Sequence, residues 1–193
     1  WLAGVKMQFF AYLGIIFLSV APVAISFLKP YQKSRILTFL DPSRDPLGAG
    51  YQITQSKIAI GSGGLFGKGF LNGSQSYLDY LPEKHTDFIF TLFSEEFGFF
   101  GSMLILTLYV LITWRIVSIG NMVRGSFGKF YCYSFATAFF IYVAVNMGMV
   151  LGLIPIVGAP LPILSYGGSS MMAVMLGLGI VMSCGIHKDQ AIG

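Results

Sequence analysis

Charged residues are scarce in this chain. Asp, Glu, Lys and Arg make up 10% of its 193 residues, whereas a soluble domain carries roughly 25%. Between Phe130 and Ile186 there is no Asp, Glu, Lys, Arg or His, and this run is long enough for two membrane-spanning helices of about 20 residues each. The shortage excludes an ordinary soluble domain. The small net charge of +4 gives no basis for nucleic-acid binding.

Cysteine is almost absent as well. Cys132 and Cys184 lie in apolar runs, and the sequence has neither a disulfide framework nor a Cys/His spacing typical of metal sites. Both are therefore predicted to be buried free thiols. The chain begins at Trp1 and lacks the charged start and short apolar core of a signal peptide. We therefore expect no signal peptide, and a longer parent chain.

Apolar runs are abundant, since 55% of the residues are hydrophobic. They predict an all-α, polytopic membrane fold in which residues 1–193 belong to one domain, with four transmembrane helices at residues 9–28, 88–114, 130–153 and 163–184. Residues 29–87 are too rich in charge and in Asp-Pro turns to span a membrane and are predicted to form one large loop. Within this loop, residues 51–60 suit a short interfacial helix. Residues 116–129 are predicted to form a short loop.

The basic residues predict an orientation. Four spans place the N-terminus, the 116–129 loop and the C-terminus on one side of the membrane. Near the membrane this side has one acid, Asp189, and five basic residues: Lys6, Arg115, Arg124, Lys129 and Lys188. Short basic loops face the cytoplasm. The large loop and the turn at residues 154–162 are therefore expected to face outward together.

The glycine-rich stretch at residues 61–69 invites comparison with a phosphate-binding loop. The comparison fails, because Ser62 stands where the first glycine is required and Gly69 stands where Ser or Thr should follow Lys68. Two interpretations stay open. The glycines have a purely conformational role, or flexible backbone brings Lys68 to an anionic headgroup or pyrophosphate.

Asp87 lies where the polar loop meets a long apolar run. Thr86 or Asp87 suits the cap of a helix beginning at Phe88, but a carboxylate held at such a boundary also suits chemistry, and the two roles are compatible. For Lys84 and His85 the alternatives are solvation of the loop and participation in a site.

Other polar residues lie inside the apolar runs. Glu95 and Glu96 fall near membrane depth, where a carboxylate is costly unless it is paired or faces a wet cavity. Residues 165–170 place irregular backbone at one end of a span, as expected where backbone is buried in protein or lines a cavity. Asn146 is interpreted as a hydrogen-bonding link between helices.

Several short motifs occur together along most of the chain. In order, they are Asp41-Pro-x-x-Asp45-Pro, Gln75-Ser76, Leu81-Pro-Glu-Lys-His-Thr-Asp-Phe-Ile-Phe90, Glu95-Glu96-x-Gly98, and Pro160-Leu-Pro162 followed by Ser165-Tyr-Gly-Gly-Ser-Ser170. No single motif is specific. In combination the chain resembles the SEDS family (shape, elongation, division and sporulation), and its elongation members more than its division members.

The resemblance implies a peptidoglycan glycosyltransferase of the bacterial plasma (inner) membrane. Members of the family polymerise lipid II on the extracytoplasmic face, with a class B penicillin-binding protein transpeptidase as partner, and the elongation members serve the rod-shape elongation complex. They have roughly ten membrane spans. This chain would therefore be the C-terminal part of such a fold, in contact with membrane lipids.

The resemblance also implies roles for individual residues. Asp87 matches the family's essential acid and is expected to be the general base on the acceptor hydroxyl, with undecaprenyl pyrophosphate as leaving group. The expected substrate-binding residues are Lys68, Lys84, Arg44, His85, Gln75 and Ser76. Further candidates for function are Glu83, Glu95, Glu96, Ser165, Tyr166, Gly167 and Gly168. No metal ligand is assigned, and a divalent cation (Mg²⁺ or Mn²⁺) is a candidate to share the neutralisation of the pyrophosphate.

Two other classes of function remain open. A flippase or transporter for a lipid-linked precursor would suit intramembrane carboxylates at Glu95 and Glu96 and a helix broken near Gly167. A scaffold of the elongation machinery without chemistry is the third class.

Overall fold

The computed structural model describes residues 8–9, 11–16, 19–20, 29–41, 48–73 and 86–188. Within these ranges every regular element is a helix, which confirms the all-α prediction for them. The helices are α1 (Pro30–Leu40), α2 (Ala49–Gly63), α3 (Ile89–Met122), α4 (Ser126–Val150) and α5 (Gly168–Ile186). The described residues between 8 and 20 are helical as well.

Three of these helices, α3, α4 and α5, are long and apolar enough to cross a membrane. They correspond to the predicted spans 88–114, 130–153 and 163–184. The predicted span 9–28 lies partly outside the described residues, so the count of four spans stays a prediction.

The predicted loop at residues 116–129 is wrong in extent. Helix α3 continues to Met122 and α4 begins at Ser126, so that three residues join the two helices. The helix continues because Ile116 is buried in a small apolar cluster with Cys132 and Val181. Arg115 is exposed and does not interrupt the helix.

The core lies between α3 and its neighbours. Helix α3 packs most extensively against α4 and α2, and it also contacts α5. The main cluster of buried side chains comes from α2, α3, α4 and residues next to these helices, but not from α5. It includes Ile53, Phe88, Tyr109, Phe139 and Met149. Both cysteines are free thiols, as predicted, but only Cys132 is fully buried and Cys184 is half-buried.

The stretch predicted as one large loop contains two helices. The predicted helix 51–60 is confirmed as the centre of α2, whereas α1 was not predicted. Helix α1 begins at Pro30, a residue suited to the first helical position. It is tied to the connection between α4 and α5, because Arg35 Nη1 donates a hydrogen bond of 2.6 Å to the carbonyl of Ile156.

Helix α3 is broken at Gly98, which has φ 66° and ψ −160°. This conformation is essentially restricted to glycine. The break removes the helical partners of two carbonyls before it, and the glycine-rich segment replaces them. The amide of Lys68 donates to the carbonyl of Glu95 at 3.1 Å, and the amide of Gly69 donates to the carbonyl of Glu96 at 3.0 Å.

Two amides after the break are satisfied by the same segment. The amide of Phe99 donates to the carbonyl of Gly64 at 2.9 Å, and that of Phe100 donates to the carbonyl of Leu65 at 3.2 Å. We call residues 61–69 the glycine loop. Four backbone hydrogen bonds therefore join the glycine loop to the broken helix.

The glycines allow this close approach. A Cβ at Gly67 would collide with the carbonyl of Glu96, and a Cβ at Gly98 would collide with the amide of Gly67. The glycine loop is therefore docked backbone against backbone, which gives its glycines a conformational role.

We predict that Gly67→Ala destabilises the complete protein. The substitution combines a left-handed residue (φ 80°) with overpacking, each of which costs about 1–3 kcal/mol. Thermal unfolding in detergent measures the loss. The matched control is Gly61→Ala, since that position is helical and has no atom within 4 Å of the added carbon, and a gain of about 0.5–1 kcal/mol is expected there. Equal stability of the two variants would contradict the docked loop.

Candidate active site

The turn at residues 86–88 brings Asp87 to the start of α3. The helix begins at Ile89, one residue later than predicted, and the N-cap position is taken by Phe88 rather than by Thr86 or Asp87. Phe88 is fully buried in the main core cluster. The turn is therefore anchored by an apolar side chain immediately after the carboxylate.

Two buried polar side chains hold the backbone of this turn. Asn146 of α4 donates through Nδ2 to the carbonyl of Asp87 at 2.9 Å and to that of Ala159 at 2.7 Å. Ser165 donates to the carbonyl of Thr86 at 2.6 Å. Both side chains are buried. The backbone of Asp87 is thus fixed against α4 and against residues 151–167, which we call the connecting segment.

Ser165 also forms a hydrogen bond within the connecting segment. The amide of Leu161 donates to Ser165 Oγ at 2.6 Å, and the Tyr109 hydroxyl of α3 donates to the carbonyl of Pro162. Ile163 has a positive φ of 71°. The predicted span 163–184 therefore starts too early, because the chain turns at residues 162–165 and α5 begins at Gly168.

The side chain of Asp87 is half-buried beside Gly158 of the connecting segment. A carbon added to Gly158 would lie 3.4 Å from Asp87 Oδ2. Gly158 also lines a cavity of about 400 Å³ between α4, α5 and the connecting segment. Most of its other lining is apolar: Phe135, Phe139, Tyr142, Pro160, Leu161 and Val174. The carboxylate therefore lies close to the edge of an apolar cavity.

Lys68 and Glu95 form an ion pair further along α3. Lys68 Nζ lies 2.8 Å from Glu95 Oε1, with the glutamate side chain fully buried and the lysine side chain 30% exposed. Ser62 Oγ lies 3.4 Å from the same oxygen. Glu95 is six residues beyond the start of α3, or about 9 Å along its axis. The ion pair offsets the cost of burying a carboxylate at this position along α3. The sequence analysis did not predict that Glu95 and Lys68 would pair.

The structure places the other predicted site residues in different environments. Glu96 is half-buried on α3, and Ser165 contributes to the Asp87 turn. Tyr166 is 82% exposed, and Gly167 and Gly168 are the N-cap and first residue of α5. Six predicted residues lie outside the described part of the chain: Arg44, Gln75, Ser76, Glu83, Lys84 and His85.

In the part of the chain that the structure describes, no group of three or more His, Cys, Asp or Glu side chains could hold a metal ion. At the Asp87 turn the structure instead brings together two hydrogen-bonding side chains, Asn146 and Ser165, which hold the backbone carbonyls of Asp87 and Thr86.

Residues 1–190 match the model of the FTSW_RODA_SPOVE family, which is described as a cell cycle protein. The chain is 46% identical over 191 residues to peptidoglycan glycosyltransferase MrdB of Escherichia coli K12, covering 98% of this chain and 52% of that protein. It is 42% identical over 183 residues to stage V sporulation protein E of Bacillus subtilis, covering 95% and 50% respectively. The chain thus spans about half the length of these curated relatives.

Solved structures show a similar fold. A chain in a peptidoglycan synthase complex that coordinates polymerization and crosslinking aligns with a TM-score of 0.71 at 33% identity, over 95% of this chain and 49% of that one. A mutant of the rod shape-determining protein RodA from Thermus thermophilus aligns with a TM-score of 0.55 at 33% identity, over 65% and 39%.

We predict that the ion pair couples Lys68 and Glu95 energetically. Lys68→Met should cost about 3 kcal/mol of unfolding free energy, because it leaves a buried carboxylate without its cation. Adding Glu95→Gln should recover most of that loss. Unfolding of both single variants and the double variant measures the coupling. Additive losses would show that the two charges do not interact.

We predict that Asn146→Leu destabilises the protein by about 2–4 kcal/mol, because it removes both donors from two carbonyls and each unsatisfied buried group costs about 1–3 kcal/mol. The control is Thr137→Val in the same helix, whose hydroxyl donates only to the carbonyl of Tyr133 one turn earlier. Its effect should be below about 1 kcal/mol. A comparable loss in both variants would rule out a special role for Asn146 at the Asp87 turn.

Proposed function

The chain belongs to the FtsW/RodA/SpoVE family of cell cycle proteins, and from this premise we propose that it is the C-terminal part of a peptidoglycan glycosyltransferase. Relatives such as MrdB of E. coli and RodA of Treponema pallidum, each 46% identical over the matched residues, are named for this activity. The proposed substrate is lipid II, polymerised into glycan strands for cell elongation and rod shape.

The observation that carries the proposal is the placement of Asp87. Its backbone is held by Asn146, its preceding carbonyl is held by Ser165, and its side chain is half-buried near an apolar cavity. A general base must be positioned within hydrogen-bond reach of the proton that it accepts. A rigid backbone at a boundary between polar loop and apolar helices meets this requirement for a substrate with sugars at one end and a lipid at the other.

We assign Asp87 as general base. Its carboxylate accepts the proton of the acceptor 4-hydroxyl while that oxygen attacks the anomeric carbon of the donor. The bond between the anomeric carbon and the pyrophosphate oxygen breaks, and undecaprenyl pyrophosphate leaves with the bonding electrons. Attack from the opposite face inverts the anomeric centre and gives a β-1,4 bond. The energy comes from the donor itself, so no nucleotide is required.

The departing pyrophosphate needs cations, and we assign this role to Lys68, together with Lys84 and Arg44. The order of charges along α3 supports the assignment of Lys68. The carboxylate of Asp87 precedes the helix, and the ion pair of Lys68 lies about 9 Å along it. A lipid-linked donor carries its sugar, pyrophosphate and hydrocarbon in that order. This order would place the sugar at Asp87 and the pyrophosphate near Lys68. A divalent cation sharing this role remains part of the proposal.

The chain is part of a multi-pass membrane protein, and we propose the bacterial plasma membrane as its location, with Asp87 on the extracytoplasmic side. The distribution of basic residues supports this orientation. We further propose a class B penicillin-binding protein and the rod-shape elongation complex as partners. A structural neighbour taken from a complex that couples polymerization to crosslinking supports a transpeptidase partner.

Transport of a lipid-linked precursor is the second candidate. It is favoured by the break in α3 and by the buried ion pair, because discontinuous helices and intramembrane charges form the sites of many transporters. A non-catalytic scaffold is the remaining alternative. Neither a transporter nor a scaffold would itself form glycan from lipid II.

We predict that Asp87→Asn lowers the rate of glycan polymerisation by about 10²–10⁴-fold, the usual contribution of a positioned base. The assay uses the complete natural protein with purified lipid II, and thermal unfolding confirms that the variant is folded. Asp41→Asn, at the end of α1, serves as the matched control. Normal polymerisation by folded Asp87→Asn would contradict the assignment. Movement of lipid II between leaflets without polymerisation by the unmodified protein would favour transport.

A further inference from the structure

Seven large apolar side chains form one exposed surface around the glycine loop, which we call the aromatic patch. Its most exposed member is Phe66, at 81%. The ring of Phe66 lies 5.4 Å from that of Phe100, and the ring of Phe70 lies 6.5 Å from that of Phe97, measured between centroids. The patch comprises Leu65, Phe66, Phe70, Leu71, Phe97, Phe99 and Phe100.

The patch is a fixed part of the fold rather than the tip of a mobile loop. Four of its residues belong to the glycine loop or follow it, and three belong to α3 on either side of the break. The backbone hydrogen bonds of Phe99 and Phe100 to the loop hold the two halves together. A rigid apolar surface of this size is rare on protein facing water and marks an interaction site.

The position of the patch along α3 indicates what covers it. From Gly98 to Arg115 the helix rises about 26 Å, close to the thickness of a bilayer's hydrocarbon core of about 30 Å. Arg115 and the exposed Trp114 mark one boundary. The patch therefore lies at the other boundary, on the Asp87 side.

The surface between the two boundaries is continuous with the patch. Exposed apolar residues follow α3 from the patch toward Trp114, and they are Met103, Leu104, Leu108 and Leu111. This strip belongs to a helix that is long and apolar enough to span a membrane. The charge on the loop is compatible with the same depth, because the ammonium of Lys68 is paired with Glu95.

We propose that the aromatic patch is seated among the acyl chains of the bilayer, at the membrane boundary on the Asp87 side. The glycine loop is then a membrane-inserted hairpin rather than part of an aqueous loop. Docking to the broken helix satisfies four of its backbone groups, which lowers the cost of placing the segment in lipid. Lipid covers the aromatic patch in this proposal, which does not depend on the glycosyltransferase proposal.

Spin labelling of the complete protein in lipid nanodiscs tests the proposal. In a background with every cysteine replaced, a nitroxide is attached at Phe66→Cys and, separately, at Phe70→Cys. Collisions with oxygen report lipid, and collisions with a water-soluble nickel chelate report water. Leu104→Cys on the exposed strip of α3 is the lipid reference, and Lys188→Cys is the water reference. Thermal unfolding checks that each labelled protein is folded.

The proposal requires both patch labels to resemble the Leu104 label, with frequent oxygen collisions and a loss of nickel collisions relative to the Lys188 label. Nickel accessibility equal to that at Lys188 would overturn it by placing the patch in water. Shielding from both reagents would overturn it as well, since the patch would then be covered by another part of the protein or by a partner.

Discussion

A helix that breaks inside a protein leaves buried backbone groups in need of new partners, and the break in α3 at Gly98 imposes this constraint on the rest of the structure. The glycine loop meets it with four hydrogen bonds, two to carbonyls before the break and two from amides after it. Close backbone approach requires glycine at the points of contact, so Gly63 and Gly67 of the loop follow from its docking against α3. The position of Lys68 follows in turn, because its amide is one of the four donors.

Helix α3 connects the two charged features of the candidate site. Asp87 lies just before its first residue, and the buried Glu95 lies two turns further on. Each is held by a segment from elsewhere in the chain: Asn146 and Ser165 hold the Asp87 turn, and Lys68 holds Glu95. The distance between the carboxylate and the cation is therefore set by a helix rather than by loops. Such rigidity suits a site that handles both ends of an amphipathic substrate.

Sequence reasoning located the three long apolar helices and the polar boundary at which Asp87 lies, because long charge-free runs and their polar ends are strong local signals. It missed α1, whose polar composition resembles that of a loop, and the continuation of α3 past Arg115. It also missed the pairing of Glu95. The cost of a buried carboxylate required a cation, but Lys57, Lys68 and Lys84 were equivalent in sequence. Contacts such as that of Asn146 with Asp87, 59 residues apart, depend on tertiary packing.

The glycine loop completes the broken helix and thereby fixes Lys68 relative to Asp87. Hydrogen exchange of the complete protein, resolved at the amides of Lys68 and Gly69, tests it most directly. Amides in an undocked, glycine-rich loop exchange through local opening that costs almost no free energy. We expect these two amides to be protected like those in the interior of α3. Exchange at the rate of an open loop would contradict it.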